Sequence, residues 1–310
     1  MANKLKKKKK LCKRKTYSIH QFRHDYPDDD ACLEKLFQIK YGKLKACPRC
    51  GVAGAKFKRI ATRPCYQCVE CEYQLHPMAG TVFEKTTTPL VCWFYAIYLF
   101  SVTRNGVAAK ELERQLRVTY KTAWRMADQI RKLMVSPTTE ILSGIVMADE
   151  TFIGGLEKNK HKNKRIPKQP GVISNQGKTV VFGMIDEKGK MFTQVLNGEA
   201  NAETLLPLIK QNVDKAAMFV TDGHKAYFGL SKQFKAHHVV NHEIGEYVNE
   251  QGYSTNKMEN HWSGLKRMLK GTHIHVDKKH LHKYVAENLF RFTNRDRADK
   301  MFELILKNAA

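Results

Sequence analysis

The sequence predicts a mixed α/β protein: a mixed sheet with flanking helices, preceded by a small cysteine-rich ribbon and a helical region. Three observations predict it. Apolar runs of strand length alternate with helix-period segments from residue 144 onward. Five cysteines and two glycine turns crowd into residues 43–85. Two amphipathic segments, AAKELERQL and YKTAWRMADQIRKLM, lie between residues 107 and 134. With 310 residues, 42% of them hydrophobic, the chain can bury a sizeable core and is globular in composition.

The elements follow in order. Residues 1–15 are a lysine-rich block, read as a solvated, disordered basic tail; phosphate contact or a nuclear address would add to that. Residues 16–85 read as a helix plus the ribbon, the helix over 16–42 with Cys32, Leu33, Leu36 and Phe37 on one face. Residues 86–140 are helical. An apolar helix over 89–101 precedes the two amphipathic segments, which are separated only by 117–119. That pattern fits a DNA-binding helix-turn-helix, and it fits an ordinary helical hairpin. Residues 141–310 form the α/β part. Strands are predicted over 144–148, 179–185, 191–196, 217–220 and 237–240, with a hairpin turn at Asp186-Glu187-Lys188-Gly189. Helices are predicted over 202–213, 257–270, 278–291 and 297–308. A strand hairpin followed by alternating strands and helices is the order of an RNase H-like fold. The basic stretch 154–178 is a long insertion loop, suited to DNA contact or simply flexible.

Charge narrows the function. Lys and Arg number 54 against 30 Asp and Glu, a formal net charge of +24, which favours a polyanionic partner. Nucleic acid is the first candidate and an anionic membrane surface the second. The longest apolar run, residues 89–100, falls short of the ~20 residues that span a bilayer. The basic N-terminus lacks the apolar stretch of a secretory signal. The expected compartment is reducing: cytoplasmic at the nucleoid in a prokaryote, nuclear in a eukaryote. The eight cysteines then read as metal ligands or buried thiols, not disulfides.

Cys47-Pro-Arg-Cys50-Gly and Cys68-Val-Glu-Cys71 are two CxxC knuckles at zinc-ribbon separation. Four thiolates make a closed tetrahedral shell, hence a structural Zn²⁺ that holds a region too small for its own core. Cys65 forms a competing CxxC with Cys68 and reads as a spare thiol. Cys12, Cys32 and Cys92 have no partner at ligand spacing.

Asp149 and Asp222 each end a short apolar strand. Side by side in a sheet, such strands bring their terminal carboxylates to one edge, a donor set for hard divalent cations. Glu259 is a candidate third carboxylate on the helix opened by Asn256-Lys257-Met258, and Lys266, seven residues on, shares nearly the same face. Glu150 follows Asp149 directly, and alternation along a strand turns it to the opposite side. Asp186 belongs to the turn; Asp128 and Asp214 read as solvated helix charges.

Taken together these residues resemble the DDE insertion-sequence transposases with an N-terminal zinc ribbon, a group related to the Merlin elements. The resemblance runs from about residue 20 to 297. CPRCG…YQCVECEYQLHPMAGTVFEKTTTPLVCWFYAIYL resembles the family's ribbon and following helix. MADETFIGG resembles its first catalytic block, VTDGHKAY the second, and STNKMENHWSGLKRMLKGTHIHVDKKHLHKYVAENLFRFTNR the third. The resemblance implies an RNase H-like domain with Asp149, Asp222, Glu259 and Lys266 at its centre, catalytic Mg²⁺ (or Mn²⁺) on the three carboxylates, and cleavage and joining of DNA ends. Partners would be the element's terminal inverted repeats, target DNA, and further copies of the chain during synapsis. His273, His275, His280 and His282 fall inside the third block and read as DNA contact or packing, and Trp262 as core or site wall. Two other functions remain compatible with the residues: a domesticated zinc-ribbon DNA-binding protein, and a metal-dependent nuclease without strand joining.

Overall fold

The computed structural model describes residues 16–135, 140–155, 157–166, 177–240 and 252–309. The basic tail, Cys12 and most of the 167–178 end of the basic loop lie outside them. The described residues form two compact units, one within residues 16–102 and 294–309 and one within 103–293.

In the first unit, the 16–42 segment is two helices, not one. α1 (Ile19–Asp25) opens on a Ser18/Gln21 capping box, and α2 (Asp29–Tyr41) on an Asp28 N-cap accepting from the Ala31 amide. Pro27 between them cannot continue α1. Cys32, Leu33 and Leu36 are buried as expected, and Phe37 stacks on Tyr66 with ring centroids 4.1 Å apart. The ribbon is an antiparallel meander of β1 (Phe57–Ile60), β2 (Cys65–Cys68) and β3 (Gln74–Leu75). It is tied to α2 by Tyr66 Oη donating to Glu34 (2.6 Å) and by the Arg59–Asp30 ion pair (2.8 Å). α3 (Leu90–Val102) is apolar almost all round because it is packed on several sides. α9 (Met301–Lys307) sets Phe302, 2% exposed, among Tyr17, Phe22, Tyr26 and Phe94.

The second unit is built on a five-stranded mixed sheet: β4 (Ile145–Ile153), β5 (Thr179–Asp186), β6 (Met191–Val195), β7 (Met218–Thr221) and β8 (Ala236–Val239). Their spatial order is β6-β5-β4-β7-β8, with β4, β5 and β6 antiparallel and β7 and β8 parallel to β4. Alternation divides the side chains between two cores. Val146, Ala148, Phe182, Met184 and Phe219 pack with α6 (Ala202–Asn212) and with Tyr227, Leu230 and Phe234. Met147, Val181, Ile185 and Val220 pack with α7 (Asn256–Arg267) and α8 (Leu281–Thr293).

α4 (Ala109–Leu116) and α5 (Tyr120–Leu133) are joined by the expected tight turn, with Arg117 in the left-handed region (φ 51°) and Thr119 as N-cap of α5. The pair is anchored by a buried ionic cluster. Glu287, fully buried on α8, accepts from both Arg131 (2.8 Å) and Arg291 (2.8 Å), and Arg131 lies over the Tyr284 ring. A doubly paired carboxylate of this kind offsets its desolvation, whereas removing either arginine would leave buried charge.

Three further expectations are corrected. β4 runs four residues beyond Asp149, because its antiparallel partner β5 continues beside it to Ile153. Asp128 is not solvated: it is 9% exposed and paired with Lys283 and Lys132. Asp214 lies past the end of α6, in a turn where it accepts from the Ala216 amide.

Candidate active site

The parallel ladder between β4 and β7 ends at the pair Met147 and Val220. Beyond it the strands part, and Asp149 and Asp222 meet across the gap. Asp149 thus lies past the end of one ladder but inside the other. Its Oδ1 accepts from the Glu150 amide (2.8 Å), and Asp222 Oδ1 accepts from the His224 amide (3.1 Å). Oxygens of Asp149, Glu150 and Asp222 all lie within 4.8 Å of one another.

Glu259 stands in the first turn of α7 and Lys266 in its last. What brings α7 to the sheet is a missing side chain. Gly183 is the register partner of Asp149 on β5. A Cβ at Gly183 would come within 2.7 Å of Met258 Cε and of the Trp262 ring. The glycine lets these two α7 residues lie directly on the strand, and they carry Glu259 with them. A cavity of about 640 Å³ results, lined by Asp149, Glu150, Glu259, Trp262, Lys266 and Lys270, among others.

The electrostatics fit a cation site. Burial, then the neighbouring Asp222 charge, raises the Asp149 pKa to about 7, with Glu259 adding to the rise. Burial likewise raises Glu150 to about 8, helped by Asp222 and Asp149 and opposed by the nearby Tyr227 hydroxyl. Carboxyl groups this close without a cation cannot all ionise near neutral pH. An all-oxygen donor set under mutual repulsion is what a hard divalent ion relieves.

The expected residues are therefore gathered as follows. Asp149 and Asp222 converge, and Glu259 and Lys266 line the same cavity as Asp149. Glu259 stands outside the closest group of oxygens. Glu150, which alternation had turned away, belongs to that group. It does rise from the other face, but with β7 ended nothing separates the two faces at this point. Lys270, one helical turn past Lys266, was not anticipated either, although the same periodicity that found Lys266 would have found it.

In the ribbon, the thiols of Cys47, Cys50, Cys68 and Cys71 come together, with Sγ of Cys47 and Cys71 3.7 Å apart. A tetrahedron with Zn–S bonds of about 2.3 Å has edges of about 3.8 Å. Hydrogen bonds, first from the Cys50 amide, lower the Cys47 thiol pKa, whereas Cys71, although the Tyr73 amide lowers it, is raised overall by burial and the neighbouring thiols, so one thiolate forms ahead of the next. Cys65 is three positions from Cys68 on β2, so it faces the other side, where its thiol meets Gln74. His273 and His280 are engaged in packing, His273 against Tyr284 and His280 against Trp124. Trp262 is 3% exposed and forms both core and cavity wall.

Four gathered thiols in a ribbon and a carboxylate-edged mixed sheet define a protein with two candidate metal centres, one of sulfur and one of oxygen ligands, and comparison with known proteins gives its family. Residues 141–293 match the ISXO2-like transposase domain, and residues 27–74 the transposase zinc-ribbon domain. The chain belongs to the DDE insertion-sequence transposases with an N-terminal zinc ribbon. A protein of the transposable element ISH50 of Halobacterium salinarum, itself uncharacterised, is 28% identical over 286 residues, covering 88% of this chain and 94% of the relative. Solved structures of the Mos1 transposase overlap weakly. A pre-cleavage transpososome gives a TM-score of 0.25 at 11% identity, covering 70% of this chain and 79% of that one. A paired-end complex with Mn gives 0.24 at 14%, covering 62% and 74%. Overlaps this low establish no detailed correspondence. Among the described residues, no helix is long and apolar enough to cross a membrane.

Proposed function

We propose that this chain binds the terminal inverted repeats of its element, cleaves the ends and transfers the strands to target DNA by metal-dependent phosphoryl transfer. The observation that carries this reading is the convergence of Asp149 and Asp222 beside the cavity that Glu259 and Lys266 also line. Asp149, Asp222 and Glu259 would hold Mg²⁺ or Mn²⁺. Such ions activate an attacking oxygen and stabilise a leaving one. Lys266, with Arg267 and Lys270 on the same wall, would draw a phosphate of the DNA strand against the carboxylates and offset its charge. Zn²⁺ on Cys47, Cys50, Cys68 and Cys71 would be structural only, since four thiolates leave no open position.

The net charge of +24 supplies the general attraction to DNA. We assign repeat recognition to residues 86–140, with α4 and α5 as a helix-turn-helix, and strand chemistry to residues 141–310, with the basic loop 154–178 as a further DNA contact. Synapsis of two ends calls for at least two copies of the chain. A strand-transfer assay on the element's terminal repeats tests the reading. Joined product supports it; hydrolysis alone points to a nuclease, and binding without cleavage to a domesticated DNA-binding protein.

A further inference from the structure

We infer that Glu150 is a fourth carboxylate of the ion site, entering from the opposite face of the sheet, and that the Tyr227 hydroxyl is the positioning group that holds it there. The inference rests on the ion site proposed above and adds two residues that the family resemblance did not supply.

Glu150 comes after Asp149 on β4, so its side chain leaves the strand on the α6 side, the side of Val146 and Ala148. In an uninterrupted sheet it would stay there. β7, however, leaves the ladder with β4 two residues before Asp149, and the Glu150 carboxylate passes the gap to within 4.8 Å of Asp149 and Asp222 oxygens. It lines the same cavity as Glu259 and Lys266. Its Oε1 is buried, with no hydrogen-bond partner among the described residues.

The second observation is independent of the acidic cluster. Tyr227 has no exposed surface, its hydroxyl is buried with no hydrogen-bond partner among the described residues, and it packs in the core with Val146 and Ala148, on the face of β4 from which Glu150 rises. It belongs to the short turn Lys225–Tyr227, which begins three residues after Asp222. The same return of the chain that presents Asp222 in front of the sheet therefore sets the hydroxyl behind it. A phenylalanine would fill this place at lower desolvation cost. The hydroxyl has a use when it donates to one oxygen of Glu150 and leaves the other aimed at an ion, as an outer donor orients a ligating carboxylate.

The experiment uses the full chain, Mn²⁺ as the probe, and titration followed by the electron paramagnetic resonance of free Mn²⁺. Melting temperatures are taken without added Mn²⁺. Glu150→Gln is expected to weaken Mn²⁺ binding at least about tenfold, and Tyr227→Phe by about tenfold, the usual scale for ligand-orienting groups. Both variants are expected to melt, without Mn²⁺, no lower than the parent. Glu150→Gln binding Mn²⁺ like the parent would overturn the fourth-ligand assignment. Tyr227→Phe that melts lower but binds Mn²⁺ normally would reduce the tyrosine to a packing residue and overturn the second half. Asp149→Asn separates the two levels: if it too left Mn²⁺ binding intact, the ion site itself would be refuted, whereas its loss with Glu150→Gln unaffected would refute only the present inference.

Discussion

The ribbon thiols and the sheet-edge carboxylates are both sets of like groups held close enough to repel, but they are assembled at opposite ranges. Cys47 and Cys50, and Cys68 and Cys71, come in pairs set by single turns, and the whole set spans 25 residues, from just before β1 to just after β2. Asp149, Asp222 and Glu259 are spread over more than a hundred residues and meet only where a parallel ladder ends and a helix settles on a glycine. A local site can depend on its metal for folding. A long-range site borrows its geometry from a core that folds without it, and so can leave positions open for substrate.

The sharpest break between the two comes from Asp149→Asn. Loss of one ligand charge at the sheet edge should lower strand cleavage by at least about 10³-fold, the scale of losing a principal electrostatic element. DNA binding and melting temperature should stay near those of the parent, as checked by gel-based cleavage, a binding titration and calorimetry. A variant that still cuts at the parent rate removes Asp149 from the chemistry.

Cys68→Ser is the counterpart in the ribbon. It should release about one zinc per chain, and proteolysis should then open residues 43–85 first, because a structural zinc supplies most of a small ribbon's stability. Zinc content by mass spectrometry and limited proteolysis read the outcome. A variant that keeps both its zinc and its protease resistance would leave Cys68 outside the shell.

Gly183→Ala tests the borrowed geometry directly. Its methyl would enter space held by Met258 and Trp262, costing about 1–3 kcal/mol of overpacking. A shift of α7 by about 1 Å should lower cleavage by up to ~10²-fold, while zinc content stays unchanged. Full activity in this variant would show that Glu259 does not depend on that seat.

The smallest effect concerns pH. Burial and neighbouring charge hold the Asp149 and Glu150 carboxyls near pKa 7 and 8, above their ordinary range near 4. Without a divalent ion, the folded chain therefore binds more protons than the unfolded one between about pH 4 and pH 8, and folding stability from these groups declines as pH rises through that window. A cation at the carboxylates removes the repulsion. Mg²⁺ in hundredfold excess over its Kd should raise the melting temperature by roughly 2–5 °C at pH 8 and much less at pH 5. Equal shifts at both pH values would contradict the assigned cause.

The two sites also differ in how far they could be read in advance. The cysteine knuckles announce themselves because ligand spacing in a turn is a property of neighbouring residues. Cys65 stands apart from the four gathered thiols, and strand alternation on β2 supplies the reason. The carboxylates were only half legible. Apolar runs marked β4 and β7, but the continuation of β4 through Glu150-Thr151-Phe152 depends on β5, which no local pattern reveals. Glu150 was set aside by a rule that holds inside a sheet and lapses where one neighbour stops. Gly183 gave no signal at all, since its role is defined by residues some 75 positions away on α7. Asp128 passed for a solvated charge because its partner Lys283 comes from α8.

One feature of the first unit has a temporal meaning. Phe302 occupies a socket made by Tyr17, Phe22, Tyr26 and Phe94, yet nearly two hundred residues of another unit are made in between. During synthesis the helices that form the socket precede α9 by that interval, so the socket stays open until α9 follows. A chain interrupted between residues 260 and 301 would carry Asp149, Asp222 and Glu259 and still leave that aromatic socket open, exposed apolar surface of the kind that promotes aggregation.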